Sequence, residues 1–246
     1  MLFRSSICNN VQNEHSYDNC LDRIALELKD FSICNKMKSD INKGYCYSDI
    51  IKYSNVDKMK QNFSTCEVFK DSYYKNKCYF DFAIKLHDIS ICEEIEDEKA
   101  KSGCYSGIAE LKQDTAICEM AKDKDWKDRC FVDVALKKLN ISICSNIEKQ
   151  FTKDWCLSLI GRKTVNASIC EIIQVNNNRD QCFEDVAIRN NDTSLCEKII
   201  FDVMNKWRCF SYLGGLKKNL SICEIIGHLS WKSDCITRVA EDKRDS

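Results

Sequence analysis

Eighteen cysteines recur along this 246-residue chain on a fixed ruler, and that ruler decides what the chain can fold into. The first cysteines of nine successive units are Cys8, Cys34, Cys66, Cys92, Cys118, Cys144, Cys170, Cys196 and Cys223. Their second cysteines are Cys20, Cys46, Cys78, Cys104, Cys130, Cys156, Cys182, Cys209 and Cys235. The separation inside a unit is 12 residues, and 13 only in the eighth unit. From a second cysteine to the next first cysteine it is 14, except after Cys46, where it is 20. The chain therefore tiles into repeats of about 26 residues: 1–32, 33–64, 65–90, 91–116, 117–142, 143–168, 169–194, 195–221 and 222–246. A period of this kind outweighs chain length as a guide to domain number, so a single repeat array over 1–246 is expected.

Each repeat reads as two short antiparallel helices. A small residue stands two before the first cysteine: Ser6, Ser32, Ser64, Ser90, Ala116, Ser142, Ser168, Ser194 or Ser221. In six repeats Glu67, Glu93, Glu119, Glu171, Glu197 or Glu224 follows three residues later. Ser-x-x-Glu is the pattern of a capping box, so a helix is expected to start at the serine. Ala116 is expected to cost repeat 5 that cap, about 1 kcal/mol. The second helix carries an aromatic residue just after its cysteine (Tyr79, Tyr105, Phe131, Phe183, Phe210) and a small residue five after it (Ala25, Ala83, Ala109, Ala135, Gly161, Ala187, Gly214, Ala240). The small residue is expected to admit a neighbouring helix. Asp30, Asn62, Asp88, Asp114, Asn140, Asn166, Asp192 and Asn219, four before the next cysteine, are expected to end the second helix in the left-handed conformation that Asp and Asn tolerate.

Helices this short are not stable alone in water, and disulfides are the obvious brace. Pairing within repeats uses every cysteine; pairing between repeats, fourteen apart, strands Cys8 and Cys235. The between-repeat gap absorbs six extra residues after Cys46, whereas the within-repeat gap varies by one. A bridged segment is the less elastic one, which favours Cys8–Cys20 through to Cys223–Cys235. The fold class expected is all-α: a right-handed α-solenoid of nine helical hairpins, each stapled by its own disulfide.

Composition narrows the function. Lys+Arg total 37 against 38 Asp+Glu; a nucleic-acid or anionic-membrane binder needs a basic excess. With no proline and seven glycines, strand-and-turn folds are disfavoured. No long apolar run is available to span a membrane. No CxxC pair occurs, and His15, His87 and His228 occupy unrelated places in the repeat, so neither a metal site, a cofactor nor a nucleophile–base pair is expected. Evenly spaced cysteine pairs point to disulfides formed outside the cytosol, although Met1–Ser6 shows no apolar signal segment; an intracellular protein with free thiols is the alternative.

One edge attracts attention. Trp126, Trp155, Trp207 and Trp231 all fall in the turn or near the start of the second helix, as do Tyr17, Tyr45, Tyr73 and Tyr74, with Lys43, Lys75, Lys101, Lys127, Lys153, Arg179, Lys206 and Lys232 three before the second cysteine. Stacking would align them into an aromatic and basic rim for a glycan, peptide or anionic polymer; otherwise the rings pack over the disulfides and the basic groups pair with Asp128, Asp154 and Asp180. Asn62, Asn140, Asn166, Asn191 and Asn219 open Asn-x-Ser/Thr triplets, mostly because a turn Asn precedes a capping Ser. The six extra residues before Asn62 read as an exposed hinge or helix extension, and the polar stretch from Glu241 as an end cap.

The repeated hairpin resembles the α-solenoid class, such as tetratricopeptide and Sel1-like repeats, and is more similar to the cysteine-paired short helical repeats of secreted microbial proteins. The tetratricopeptide pattern of Trp, Leu-Gly, Tyr and Pro is missing, so the resemblance implies a fold and carries over no binding residue. The function expected is a non-catalytic extracellular or cell-surface scaffold that binds a protein or ligand. Alternatives are a subunit of a surface filament or layer, associating end to end, and a polysaccharide-binding accessory domain.

Overall fold

The computed structural model describes residues 2–55 and 63–241. The expected extension before Asn62, Asn62 itself and all but the first residue of the expected end cap lie outside the described residues. Among those described there is no strand, and no helix is long and apolar enough to cross a membrane. The second cysteines lie on long helices: Glu14–Leu28, Asp40–Tyr53, Ser72–Leu86, Glu98–Lys112, Lys124–Lys138, Gln150–Thr164, Asn176–Asn190, Val203–Leu216 and Leu229–Glu241. Two compact units, Met1–Cys130 and Phe131–Ser246, divide the chain. Within each, successive long helices pack side by side, as in an α-solenoid.

All eighteen cysteines are paired within their repeats, from Cys8–Cys20 to Cys223–Cys235, with Cα atoms 5.5–5.9 Å apart. The first cysteines do not sit on helices of useful length. They occupy arms of three to six residues, such as the single turn Thr115–Cys118 and the 3₁₀ segments Ile89–Glu94 and Ile141–Asn146. The reason is the apolar residue three after the cysteine. Ile95 and Ile147 leave the helix for extended backbone (ψ 119° and 126°), and both side chains are buried.

The junction between repeats corrects two expectations. The left-handed residue at the end of a long helix is not the Asp or Asn but the residue before it: Lys29, His87, Gln113, Leu139, Val165, Asn191 and Lys218, with φ between 51° and 55°. The Asp or Asn comes next and closes the turn with its own N–H, which donates to the small residue's carbonyl (Asp88 to Ala83, 3.1 Å; Asn166 to Gly161, 2.9 Å; Asn219 to Gly214, 3.0 Å). This is the six-to-one bond of a Schellman motif. The same residue's side chain then caps the following arm by accepting from the amide two residues on, as Asp30 does from Ser32 (2.9 Å) and Asn166 from Ser168 (3.0 Å). One residue thus ends one element and starts the next. The serine hydroxyl is not the cap, and Ala116 loses nothing: its amide still donates to Asp114 at 2.9 Å.

Val165 is the least suited of these left-handed residues, because a β-branched side chain crowds the following carbonyl at φ 55°. Val165→Gly is expected to stabilise the protein by about 1 kcal/mol, after the greater chain entropy of glycine is subtracted. Thermal unfolding should shift upward by about 2–4 °C; an unchanged or lowered midpoint would contradict the strain.

The small residue receives a disulfide rather than a helix. A Cβ built on Gly214 would lie 2.5 Å from the Cys235 sulfur and 3.4 Å from the Ile222 side chain. On Gly161 it would meet the Cys182 sulfur at 3.1 Å and Ile169 at 3.3 Å. Repeats 7 and 9 therefore seat an isoleucine and a disulfide on the small residue of the repeat before.

Candidate functional site

Several basic groups of the expected edge are ion-paired: Arg179 with the expected Asp180, at 3.9 Å, and others with glutamates. The glutamate after the first cysteine reaches across its own hairpin. Lys127 binds Glu119 at 2.6 Å, Lys206 binds Glu197 at 2.9 Å, and Lys75 bridges Glu67 and Glu96 at 3.1 and 3.0 Å. Tyr79 and Tyr105, just after their second cysteines, donate to the same carboxylates, Glu67 and Glu93, whereas Tyr47 donates to Asn35 at 2.8 Å. Burial pushes the Tyr79 and Tyr105 phenols above the usual tyrosine range, and the bonded carboxylates add to the rise. Arg179 donates to Asn176 at 3.0 Å. Lys153 and Lys232 are half-buried.

Asp154 and Asp180 are fully buried and serve a further purpose. Each stands two before its second cysteine and gathers backbone amides from the turn of the next repeat. Asp154 accepts from Gln174 at 3.1 Å and Val175 at 2.6 Å. Asp180 accepts from Ile200, Phe201 and Asp202 at 3.4, 2.7 and 2.7 Å. Asp18 takes Lys38 and Ser39, Asn76 takes Glu96, and the Ser102 hydroxyl takes Asp123. Asp128 is buried at the equivalent place. These amides open the next long helix, where negative charge is favoured. The recurrence of a short polar residue two before the second cysteine is the sequence signal for this staple.

The tryptophans stand at three different places: four before the second cysteine (Trp126, Trp231), one before (Trp155) and two before (Trp207). Trp207 occupies the staple position of the repeat with the extra residue, and its ring lies on Gly227, where a Cβ would be 3.3 Å away. Trp155, Trp207 and Trp231 are half-buried; Trp126 is 37% exposed.

Trp126 borders a groove of about 640 Å³ that also involves Tyr73 and Phe80. Its floor is Ala100 and Gly103. One residue before the second cysteine, where repeat 4 has Gly103, the other repeats carry Asn19, Tyr45, Lys77, Arg129, Trp155, Gln181, Arg208 and Asp234. The missing side chain opens the notch, and Trp126 leans over it, 3.3 Å from a Cβ at Gly103. Tyr73 forms the facing wall and is 67% exposed. The polar rim is Ser72, Asn76, Lys77 and Asp97. Its charges are already engaged: Lys77 by Asp81 at 2.7 Å, and Asp97 by the Ala100 amide at 2.7 Å. The groove therefore offers two aromatic faces and hydrogen bonds, with Lys77 paired and the Asp97 carboxylate at its rim.

Comparison with protein-family models, with curated proteins and with solved structures found no match.

The groove is bordered by residues the sequence singled out, Tyr73 and Trp126, but its shape comes from Ala100 and Gly103, which it did not single out. The readable signal was a glycine where every other repeat has a polar or aromatic side chain. Such a break in an otherwise regular pattern is where function is expected.

Proposed function

We propose that the protein is a non-catalytic, disulfide-braced repeat scaffold of an oxidising extracellular or cell-surface environment, and that it binds its ligand in the groove between Tyr73 and Trp126. The observation that carries this reading is the notch in repeat 4, where Ala100 and Gly103 leave about 640 Å³ between two exposed aromatic rings. That size and an apolar lining with a few polar groups suit a ligand site. The engaged charges favour an uncharged ligand with a flat apolar face and hydroxyl or amide groups, such as the sugar ring of a glycan. The pairing of all eighteen cysteines supports the oxidising environment.

Screening the folded chain on a glycan array, followed by titration of the best ligand with tryptophan fluorescence, tests the site. Tyr73→Ala and Gly103→Leu are expected to weaken binding at least tenfold with unchanged helicity, while Trp155→Ala leaves it intact. Binding that survives both groove variants and is lost on Trp155→Ala and Trp207→Ala would move the site to the edge first read from the sequence.

A further inference from the structure

Repeat 4 lacks two side chains on the face that carries the groove. Three residues after its second cysteine it has Gly107; no other repeat has glycine there, and Asp49, Asp81, Asp133 and Asp185 are typical. Gly103 and Gly107 stand four apart on the helix Glu98–Lys112, so both gaps lie on one side of it. The gap at Gly103 is open and floors the groove between Tyr73 and Trp126. The gap at Gly107 is filled from repeat 3. A Cβ there would lie 2.6 Å from Cδ1 of Ile84 and 3.8 Å from Cζ of Phe80.

Leaning toward repeat 4, these two side chains leave room behind them. A second cavity, of about 410 Å³, lies on the other side of the helix Ser72–Leu86, against the helix Asp40–Tyr53 of repeat 2. Lys77 and Phe80 line both cavities, so the two are neighbours across a single helix. The second cavity has an apolar wall, Phe80 and Ile84, and a polar one. On the polar wall Ser48 donates to Asp81 at 2.6 Å, and Lys77 donates to both, at 3.1 and 2.7 Å. Asp49 adds a second carboxylate. Lys85 is engaged by the Lys52 carbonyl at 2.8 Å. Each carboxylate has lone pairs to spare for further donors.

We propose that the ligand is a chain, a neutral linear oligosaccharide. It stacks one sugar between Tyr73 and Trp126, crosses the helix Ser72–Leu86 at Lys77 and Phe80, and sets a further sugar in the second cavity. There its hydroxyls donate to Asp49 and Asp81, with Phe80 and Ile84 against the ring. The proposal rests on the groove reading and adds a second subsite to it. Carboxylate acceptors line both cavities, Asp97 in the first and Asp49 and Asp81 in the second. A sugar ring offers several hydroxyl donors to such a surface, where the backbone of an extended peptide offers one N–H per residue.

Isothermal titration calorimetry of the full chain with cello-, manno- and chito-oligosaccharides of two to six sugars tests the proposal. In the series that binds, affinity should rise at least tenfold from the disaccharide to the length that spans both cavities, and then level off. Two variants should abolish that rise and leave the disaccharide's affinity unchanged. Ser48→Leu fills the second cavity directly. Gly107→Ala fills it from outside, because the new Cβ drives Ile84 out of its gap; replacing a glycine inside a helix, it should fold at least as well as the wild type. Tyr73→Ala should weaken every length. Affinity independent of length, or a rise that survives both variants, would overturn the second subsite and leave the groove standing. Binding at every length that ignores Tyr73→Ala would overturn the groove reading beneath it. No response to any of the three series, or an extended peptide bound in their place, would overturn the oligosaccharide.

Discussion

Reduction of the disulfides is expected to unfold the protein. The arms that carry the first cysteines are three to six residues long and cannot persist as helices. The long helices, at 13 to 15 residues, are themselves near the length at which isolated helices are marginal. Each bridge closes a loop of 12 or 13 residues, worth about 2–3 kcal/mol in the chain-entropy model. Nine such contributions exceed the roughly 5–15 kcal/mol by which a typical domain is stable. Far-ultraviolet circular dichroism followed against reductant concentration, with intact mass on the same samples, should show most helicity lost as the sulfurs are reduced. Full reduction with the helical spectrum retained would show that packing alone holds the hairpins.

Asp180→Ala is expected to be the most damaging of the single substitutions considered. It removes the fully buried acceptor of three amides at the start of the long helix Val203–Leu216 and leaves those donors without it. An unsatisfied buried donor costs about 1–3 kcal/mol, so a loss of roughly 3–4 kcal/mol is expected for the group. Asn76→Ala, which removes the acceptor of one amide, should cost less. Because repeat arrays depart from all-or-none unfolding, the sharper readout is local. Hydrogen exchange at Ile200, Phe201 and Asp202 should accelerate far more than at the amides of repeats 1 to 4. Equal protection in variant and wild type would mean the carboxylate is not what holds that turn.

What was legible in the sequence was covalent arithmetic. Even spacing and the one elastic gap after Cys46 are enough to pair the cysteines, because a bridge tolerates little change in the chain it closes. Caps were harder, because Ser-x-x-Glu and the Asp or Asn two residues before the serine occupy one overlapping pattern. Ala116 was the clue: repeat 5 lacks the serine and keeps Asp114, which is the cap actually used. The buried carboxylates do more than the expected pairing. Asp180 lies 3.9 Å from Arg179, yet helix geometry turns it and Asp154 inward, where they gather backbone amides of the next repeat. The groove was hidden because removing side chains at Ala100 and Gly103 creates it, and its walls come from helices of different repeats.

Peptide mapping without reduction tests the central claim most directly. A lysine or arginine separates every neighbouring pair of cysteines except Cys8 and Cys20, which Glu14 separates; trypsin and a glutamate-specific protease therefore isolate each cysteine. Nine linked peptide pairs, each joining a cysteine to the one 12 or 13 residues beyond it, are expected, with no free thiol. Links from a second cysteine to the next first cysteine, such as Cys20 to Cys34, or a set of alkylatable thiols in the native protein, would contradict hairpins stapled one by one.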